Sequence, residues 1–147
     1  MTVPRFIEMW IIKTIILLTL LLYASVMDIK TREVPNPVSG MLLILGLVDK
    51  DIDQLPSMII GALLVFLPQF VSALINPSKA LGGADIKISS SATFLLGTPN
   101  GLFTLIVGLT LAVIVMPMIS RIRKLPKDQP FPLIPFISIG IVAGYFI

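Results

Sequence analysis

Long apolar runs separated by short polar segments dominate this chain. Phe6–Met27, Pro56–Ile75 and Leu102–Ile119 each approach the roughly 17 to 25 residues that a membrane-spanning helix needs. Three further apolar segments, two of them short, complete the pattern: Val38–Val48, Asp85–Leu96 and Phe131–Ile147. The pattern predicts an all-α polytopic membrane protein with about six transmembrane helices. Residues 1–147 form a single domain in this interpretation, with no separate soluble domain.

Prolines and small polar residues mark where the predicted helices begin, bend and end. Asn36 is predicted to cap the second helix, with Pro37 in its first turn and Pro35 holding the preceding residue extended. Pro68 is predicted to kink the third helix or open a gap in its hydrogen bonding. Thr98–Gly101 is predicted to form a turn.

The start of the last helix carries several prolines, and a proline has no backbone N–H to donate. An irregular beginning is therefore predicted there, around Pro130, Pro132 and Pro135.

The composition excludes much chemistry. The 147 residues are 56% hydrophobic and 13% charged, with a mean hydropathy of +1.01, which is too apolar for a soluble domain. The absence of cysteine and histidine excludes disulfides, a cysteine nucleophile, and the commonest metal ligand and general base. We therefore expect no metal and no cofactor. We also expect no nucleic-acid partner, because the net charge of +3 fits the basic cytoplasmic loops of a membrane protein.

The basic residues predict the orientation in the plasma membrane. With the N-terminus outside, the outer segments hold only Arg5 and Lys50. The inner segments hold eight basic residues: Lys30, Arg32, Lys79, Lys87, Arg121, Arg123, Lys124 and Lys127. This asymmetry predicts that Asp28 and Asp85 both lie at the cytoplasmic face.

Asp28 and Asp85 are the candidate catalytic residues. Asp28 ends the first predicted span and Asp85 begins the fourth, so contact between these antiparallel helices would bring the carboxylates to one depth. Two carboxylates sharing a site do not both ionise easily, and such a pair suits water activation by one acid and proton donation by the other. Helix-end electrostatics favour Asp85 as the base and Asp28 as the proton carrier.

Small and polar residues follow Asp85 along its helix. Ser89 and Thr93 share its face, which leaves room for water and an extended peptide or, alternatively, lets helices pack closely. Gly108 and Gly140 begin small-residue patterns that we interpret as packing. A Ser–Lys pair of Lys87 with the serines 89–91 remains an alternative nucleophile, whereas a zinc site or a Ser–His pair requires the histidine that the chain lacks.

Two non-proteolytic interpretations compete with the paired acids. Either acid alone is typical of a boundary residue solvated by headgroups or paired with a nearby cation. A small proton- or cation-coupled transporter or channel subunit would also use two membrane acids. However, no inverted repeat relates the two halves, and the acids lie at an edge of the membrane.

Two segments resemble the signatures of a known family. Asp28–Asn36 and Gly82–Lys87 are similar to the paired motifs of the type IV prepilin peptidases, intramembrane aspartyl proteases that include the archaeal preflagellin peptidases. Phe131–Phe136 resembles the proline-phenylalanine stretch at the start of the last helix of that family. The usual Gly-x-Gly-Asp reads Gly82-Gly83-Ala84-Asp85 here, which is similar to the archaeal variant.

The resemblance implies a function and supporting residues. It implies an aspartic endopeptidase of the short, peptidase-only form, which cleaves a short basic leader from pilin-like precursors at the cytoplasmic face; the oligomeric state stays open. It also implies that six residues support the catalytic motifs: Pro35, Asn36, Gly82, Gly83, Ala84 and Lys87. The turn at Gly82 and Gly83 is expected to need backbone freedom that a side chain would restrict.

Overall fold

The computed structural model describes residues 3–78, 82–124, 126 and 131–147. The described residues form six α-helices: α1 (Val3–Thr31), α2 (Asn36–Leu47), α3 (Leu55–Ile75), α4 (Gly83–Leu96), α5 (Thr98–Arg123) and α6 (Ile134–Phe146). A short 3₁₀ turn, Ile52–Gln54, precedes α3. The described residues contain no strand and no separate soluble domain, which confirms the predicted all-α fold.

Three stretches are long and apolar enough to cross a membrane: Pro4–Thr31 in α1, Ile52–Ile75 ending in α3, and Thr98–Arg123 in α5. The apolar helices α2 and α6 are shorter, with 12 and 13 residues. Many large apolar side chains on α1, α3 and α5 face outward, for example Leu22, Leu74 and Val113. Apolar exposure on this scale is expected where lipid, and not water, surrounds the helices.

Two local predictions are wrong. Thr98–Gly101 forms the first turn of α5 and not a separate turn, because Pro99 occupies an early helical position where its missing N–H costs nothing. The chain reverses at Gly97 instead, whose φ of 81° is readily adopted only by glycine. Asn36 is the first residue of α2, and its side chain makes no capping hydrogen bond.

The fourth helix lies at the centre of the bundle. It contacts α2, α3, α5 and α6, while α1 packs against α2 and α6. The main buried cluster joins α1, α2, α4 and α6 through twelve residues: Leu17, Leu21, Ala24, Val38, Leu42, Leu45, Ile88, Ala92, Leu95, Ile134, Ile137 and Ile141. This packing fixes the relative positions of the helices that carry the candidate acids.

Small residues allow the close contacts around α4 and α6. A side chain on Gly101 would collide with Thr93, and a Cβ on Gly108 would lie 2.9 Å from the Cα of Ile137. A Cβ on Gly140 would likewise meet the backbone of Thr104. The interpretation of Gly108 and Gly140 as packing positions is therefore confirmed.

The third helix is continuous through Pro68. Pro130, which belonged to the predicted irregular start of the last helix, lies outside the described residues. Residues 131–133 are non-helical and α6 begins at Ile134, so the irregular start is confirmed for that part.

Candidate active site

Asp28 lies in the last turn of α1 and is almost fully buried, with 6% of its surface exposed. Its carboxylate oxygen Oδ2 accepts a hydrogen bond of 3.0 Å from the backbone N–H of Ile134, the first residue of α6. One turn earlier, the hydroxyl of Ser25 donates to that of Ser138 at 3.1 Å, which holds α1 and α6 together. The carboxylate of Asp28 is thus fixed at the N-terminus of α6.

Asp85 is the third residue of α4 and is half-buried. The backbone N–H of Gly82 lies near its carboxylate. The carboxylate oxygen Oδ1 is buried and has no hydrogen-bond partner among the described residues. A buried polar atom without a partner is costly, so such an atom at a candidate site points to a group that binds there.

The two acids approach each other without direct packing of their helices. Among the described residues α1 and α4 make no close backbone contact, because α2 and α6 lie between them. Asp28 is nevertheless near enough for its charge to act on Asp85. The helix contact expected from the sequence is therefore wrong, while the two carboxylates do share one region.

A polar cleft of about 560 Å³ opens beside this region and collects both motif segments. It is lined by residues 31–36, which follow α1 and begin α2, together with Met27, Gly83, Ala84 and Lys87. The N-termini of α2, α4 and α6 therefore converge on one end of the bundle. Helix N-termini favour negative charge, so this end is suited to a carboxylate and to a developing oxyanion.

Lys87 and Asn36 join the two motif segments across the cleft. The ammonium group of Lys87 donates a hydrogen bond of 2.7 Å to the side-chain oxygen of Asn36. The amide of Asn36 therefore does not cap its own helix and instead connects the start of α2 to the first turns of α4.

The serines after Asp85 are engaged in packing. Ser89 donates to Gln69 of α3 at 3.1 Å, and Ser90 donates to the carbonyl of Ile86 at 2.8 Å. The face that Ser89 shares with Thr93 is almost fully buried, so it does not provide room for a peptide. The amine of Lys87 donates to Asn36 and not to a serine, so the described contacts do not form a Ser–Lys pair.

A second, mainly apolar cavity of about 580 Å³ lies on the other side of Asp28. Ile29 and Arg32 from the end of α1 line it, together with residues near the end of α5 and the start of α6: Met116, Ile119, Ile122, Arg123, Phe131, Pro132, Pro135 and Phe136. Arg32 lines both cavities. The polar cleft and the apolar cavity therefore flank Asp28, through its neighbours Met27 and Ile29.

A comparison with protein families agrees with this arrangement. The sequence model described as the Type IV leader peptidase family matches residues 15–117. The chain belongs to the type IV leader peptidase family. Comparisons with curated proteins and with solved structures give no match.

The matched region of this leader peptidase contains Asp28, Asp85 and both motif segments. It ends before Phe131–Phe136, so the resemblance of that stretch rests on its own residues. Family membership and the apolar helices identify a membrane-bound peptidase. The predicted orientation stays a prediction, and two of the basic residues that support it, Lys79 and Lys127, lie outside the described residues.

The glycines before Asp85 differ in their surroundings. Gly82 has φ of −59° and ψ of 146°, which other residues adopt readily, but a Cβ there would lie 3.2 Å from Oδ2 of Asp85. A Cβ on Gly83 would meet nothing within 4 Å. The expected need for backbone freedom is therefore wrong. Glycine at position 82 instead keeps the space beside the Asp85 carboxylate free of a side chain.

Sequence reasoning missed the backbone amide of Ile134 as a partner of Asp28. The two residues are 106 positions apart, so no local pattern connects them. The available signal was the spacing of Pro132 and Pro135, which lack N–H groups and leave the amides of Leu133 and Ile134 between them.

Proposed function

We propose that this leader peptidase is an aspartyl endopeptidase in which Asp28 and Asp85 act together on water. The observation that carries the proposal is the approach of these two acids beside one cleft that both motif segments line. The substrates are pilin-like precursors, from which the enzyme removes a short basic leader at the cytoplasmic membrane face. Family membership supports this substrate class.

In this mechanism Asp28 is the ionised base. Its Oδ2 already accepts the Ile134 N–H at the start of α6, and both the hydrogen bond and the helix dipole stabilise a negative charge. Asp85 has a buried oxygen without a partner, which favours the protonated acid. This reverses the roles expected from the sequence, because the burial of Asp28 against a second helix was not foreseen.

The reaction then needs only these two side chains and water. Asp28 takes a proton from water as the water oxygen attacks the peptide carbonyl, while Asp85 donates its proton to the carbonyl oxygen. Return of protons through the pair releases the amine of the cleaved peptide. The convergent N-termini of α2, α4 and α6 favour the negative charge that develops during the attack.

The two cavities suggest how a precursor binds. The polar leader of a substrate would lie in the polar cleft, and its apolar part would lie in the cavity around Met116 and Phe136. The substrate would then pass over Asp28, because Met27 lines the first cavity and Ile29 lines the second. A peptide bond at the junction of a polar and an apolar segment would then lie beside the catalytic acids. This arrangement fits a leader that precedes a hydrophobic helix.

The test is cleavage of a panel of pilin-like precursors by the purified protein in lipid vesicles. We expect Asp28→Asn and Asp85→Asn each to abolish cleavage, since loss of an acid–base group costs roughly 10² to 10⁴-fold. The amide keeps the shape but does not exchange the proton. Metal chelators should have no effect.

Matched controls separate catalysis from folding. Asp53→Asn makes the same chemical change at an exposed site in the 3₁₀ turn and should leave cleavage unchanged. Replacing Ser89, Ser90 and Ser91 with Ala should leave measurable turnover. Near-normal cleavage by either acid variant, with inactive serine variants, would refute the aspartyl mechanism.

A further inference from the structure

A polar cavity lies at the end of the bundle opposite the acids. Its volume is about 210 Å³, and six of the residues that line it carry polar or aromatic groups: Trp10, Lys13, Asp49, Lys50, Asn100 and Tyr145. We call it the Lys13 cavity. Lys13 and Asp28 are 15 residues apart on α1, so about 22 Å of helix separates this cavity from the candidate active site.

Lys13 is the unusual residue in this cavity, because only 8% of its surface is exposed. Its ammonium group donates a hydrogen bond of 2.8 Å to the carbonyl of Val48, the residue that follows α2. An ammonium group has three donors, and Val48 accounts for one of them among the described residues. A buried cation in a membrane protein is costly and is by default functional.

The charges around Lys13 favour a bound anion. Lys50 and Asp49 both line the cavity, and each is near enough for its charge to act on Lys13. Two cations and one carboxylate leave an excess of one positive charge. The side chains of Asn100 and Tyr145 add neutral hydrogen-bonding groups. The cavity thus matches a singly charged oxyanion.

The aromatic residues indicate where this anion comes from. Trp10 stacks on Tyr145 with ring centroids 6.3 Å apart, and the hydroxyl of Tyr145 is within 3.2 Å of the hydroxyl of Thr14. Trp and Tyr are enriched at the level of the lipid headgroups on both faces of a membrane, and lysines at that level attract anionic headgroups electrostatically. We propose that the Lys13 cavity binds the phosphodiester headgroup of an anionic phospholipid.

Direct lipid binding tests this proposal without any measurement of cleavage. The delipidated protein is titrated with phosphatidylglycerol, and the first lipid bound is counted by native mass spectrometry. We expect one tight site that diacylglycerol, which has no phosphate, does not fill. Inorganic phosphate should compete only weakly; binding as tight as that of the lipid would identify free phosphate as the ligand and overturn the lipid assignment.

Three lysine variants complete the test. Lys13→Gln and Lys50→Gln should each weaken the first binding event about fivefold to tenfold, as expected for one cation near a headgroup. Lys124→Gln removes one charge at an exposed position after α5 and should not change it. Lys50→Gln leaves the Lys13–Val48 hydrogen bond intact, so this variant tests lipid binding even if Lys13→Gln does not fold. Unchanged binding in Lys50→Gln would refute the proposal.

Discussion

The acids of this leader peptidase depend on single atoms of neighbouring residues. Asp28 is held by one backbone N–H from Ile134, and Oδ2 of Asp85 occupies space that a Cβ on residue 82 would approach to 3.2 Å. Ala84 replaces the second glycine of the usual family motif without strain, because it lies inside α4 and does not have a positive φ. Of these two motif positions, only position 82 therefore requires glycine.

A pair of alanine substitutions tests whether position 82 requires glycine. Gly82→Ala should reduce turnover about tenfold, because a Cβ 3.2 Å from Oδ2 must displace the Asp85 carboxylate by a few tenths of an ångström and small misplacements of catalytic groups are costly. Gly83→Ala, whose Cβ meets nothing within 4 Å, should cleave near normally. Steady-state cleavage measured at equal amounts of folded protein compares them; equal activities would show that Gly82 does not shape the site.

Sequence reasoning reached the acids but not their partners. The positions of Asp28 and Asp85 at helix ends followed from hydropathy and turn residues, which are local properties. The contacts of Asp28 with Ile134 and of Lys87 with Asn36 join segments 106 and 51 residues apart, and only the packing of the helices determines them. The base and acid roles proposed above differ from those expected from the sequence for this reason.

At the scale of the elements, α6 orients a side chain on α1. The two helices are joined by hydroxyl contacts near both ends of the bundle, from Thr14 to Tyr145 and from Ser25 to Ser138. The hydrogen bond from Ile134 to Asp28 adds a third contact between these helices, at the candidate active site. Helix α6 is thus a positioning element for the proposed base.

Replacing the amide of Ile134 with an ester, through the corresponding α-hydroxy acid, removes this donor and leaves the Leu133 carbonyl as a weaker acceptor for the N–H groups of Phe136 and Ile137. Turnover should fall about tenfold, since a hydrogen bond to a charged group contributes about 1.5 to 3 kcal/mol. The acidic limit of the pH–activity profile should also move to higher pH, because the ionised form of Asp28 loses a stabilising donor. The profile is measured on precursor cleavage in vesicles.

An ester at Ile137 is the matched control. Its N–H donates at 3.1 Å to the carbonyl of Leu133, so this change costs a similar hydrogen bond in the same helix without touching Asp28. It should leave the pH profile in place. An identical shift in both variants would mean that α6 acts only through stability.

The helix boundaries show a similar division between local and distant causes. The six elements followed from the apolar runs, but Thr98–Gly101 was misassigned because proline and glycine mark both turns and first turns of helices. A helix begins at Thr98 because the chain reverses one residue earlier, at Gly97. This reversal is packed against α3, where the hydroxyl of Thr98 contacts Ser57.

At the scale of the whole molecule, the orientation predicted from the basic residues is open to direct labelling. The chain has no cysteine, so single-cysteine variants need no background removal. Cysteines replacing Lys30 and Arg123 should react with a membrane-impermeant maleimide only from the cytoplasmic side, and one replacing Asp51 only from outside. The reverse pattern would place the acids away from the side on which a leader is expected.

The short helices have a mechanical consequence for the surrounding lipid. At 1.5 Å per residue, α2 and α6 measure only about 18 to 20 Å, against roughly 30 Å of hydrocarbon in a typical bilayer. Both expose large apolar side chains, such as Ile44 and Ile139. The bilayer is therefore expected to thin beside them, which costs elastic energy and brings the water interface towards the proposed catalytic acids. Vesicles of short-chain lipids should accordingly support faster cleavage than vesicles of long-chain lipids, and a rate independent of chain length would show that no such deformation occurs.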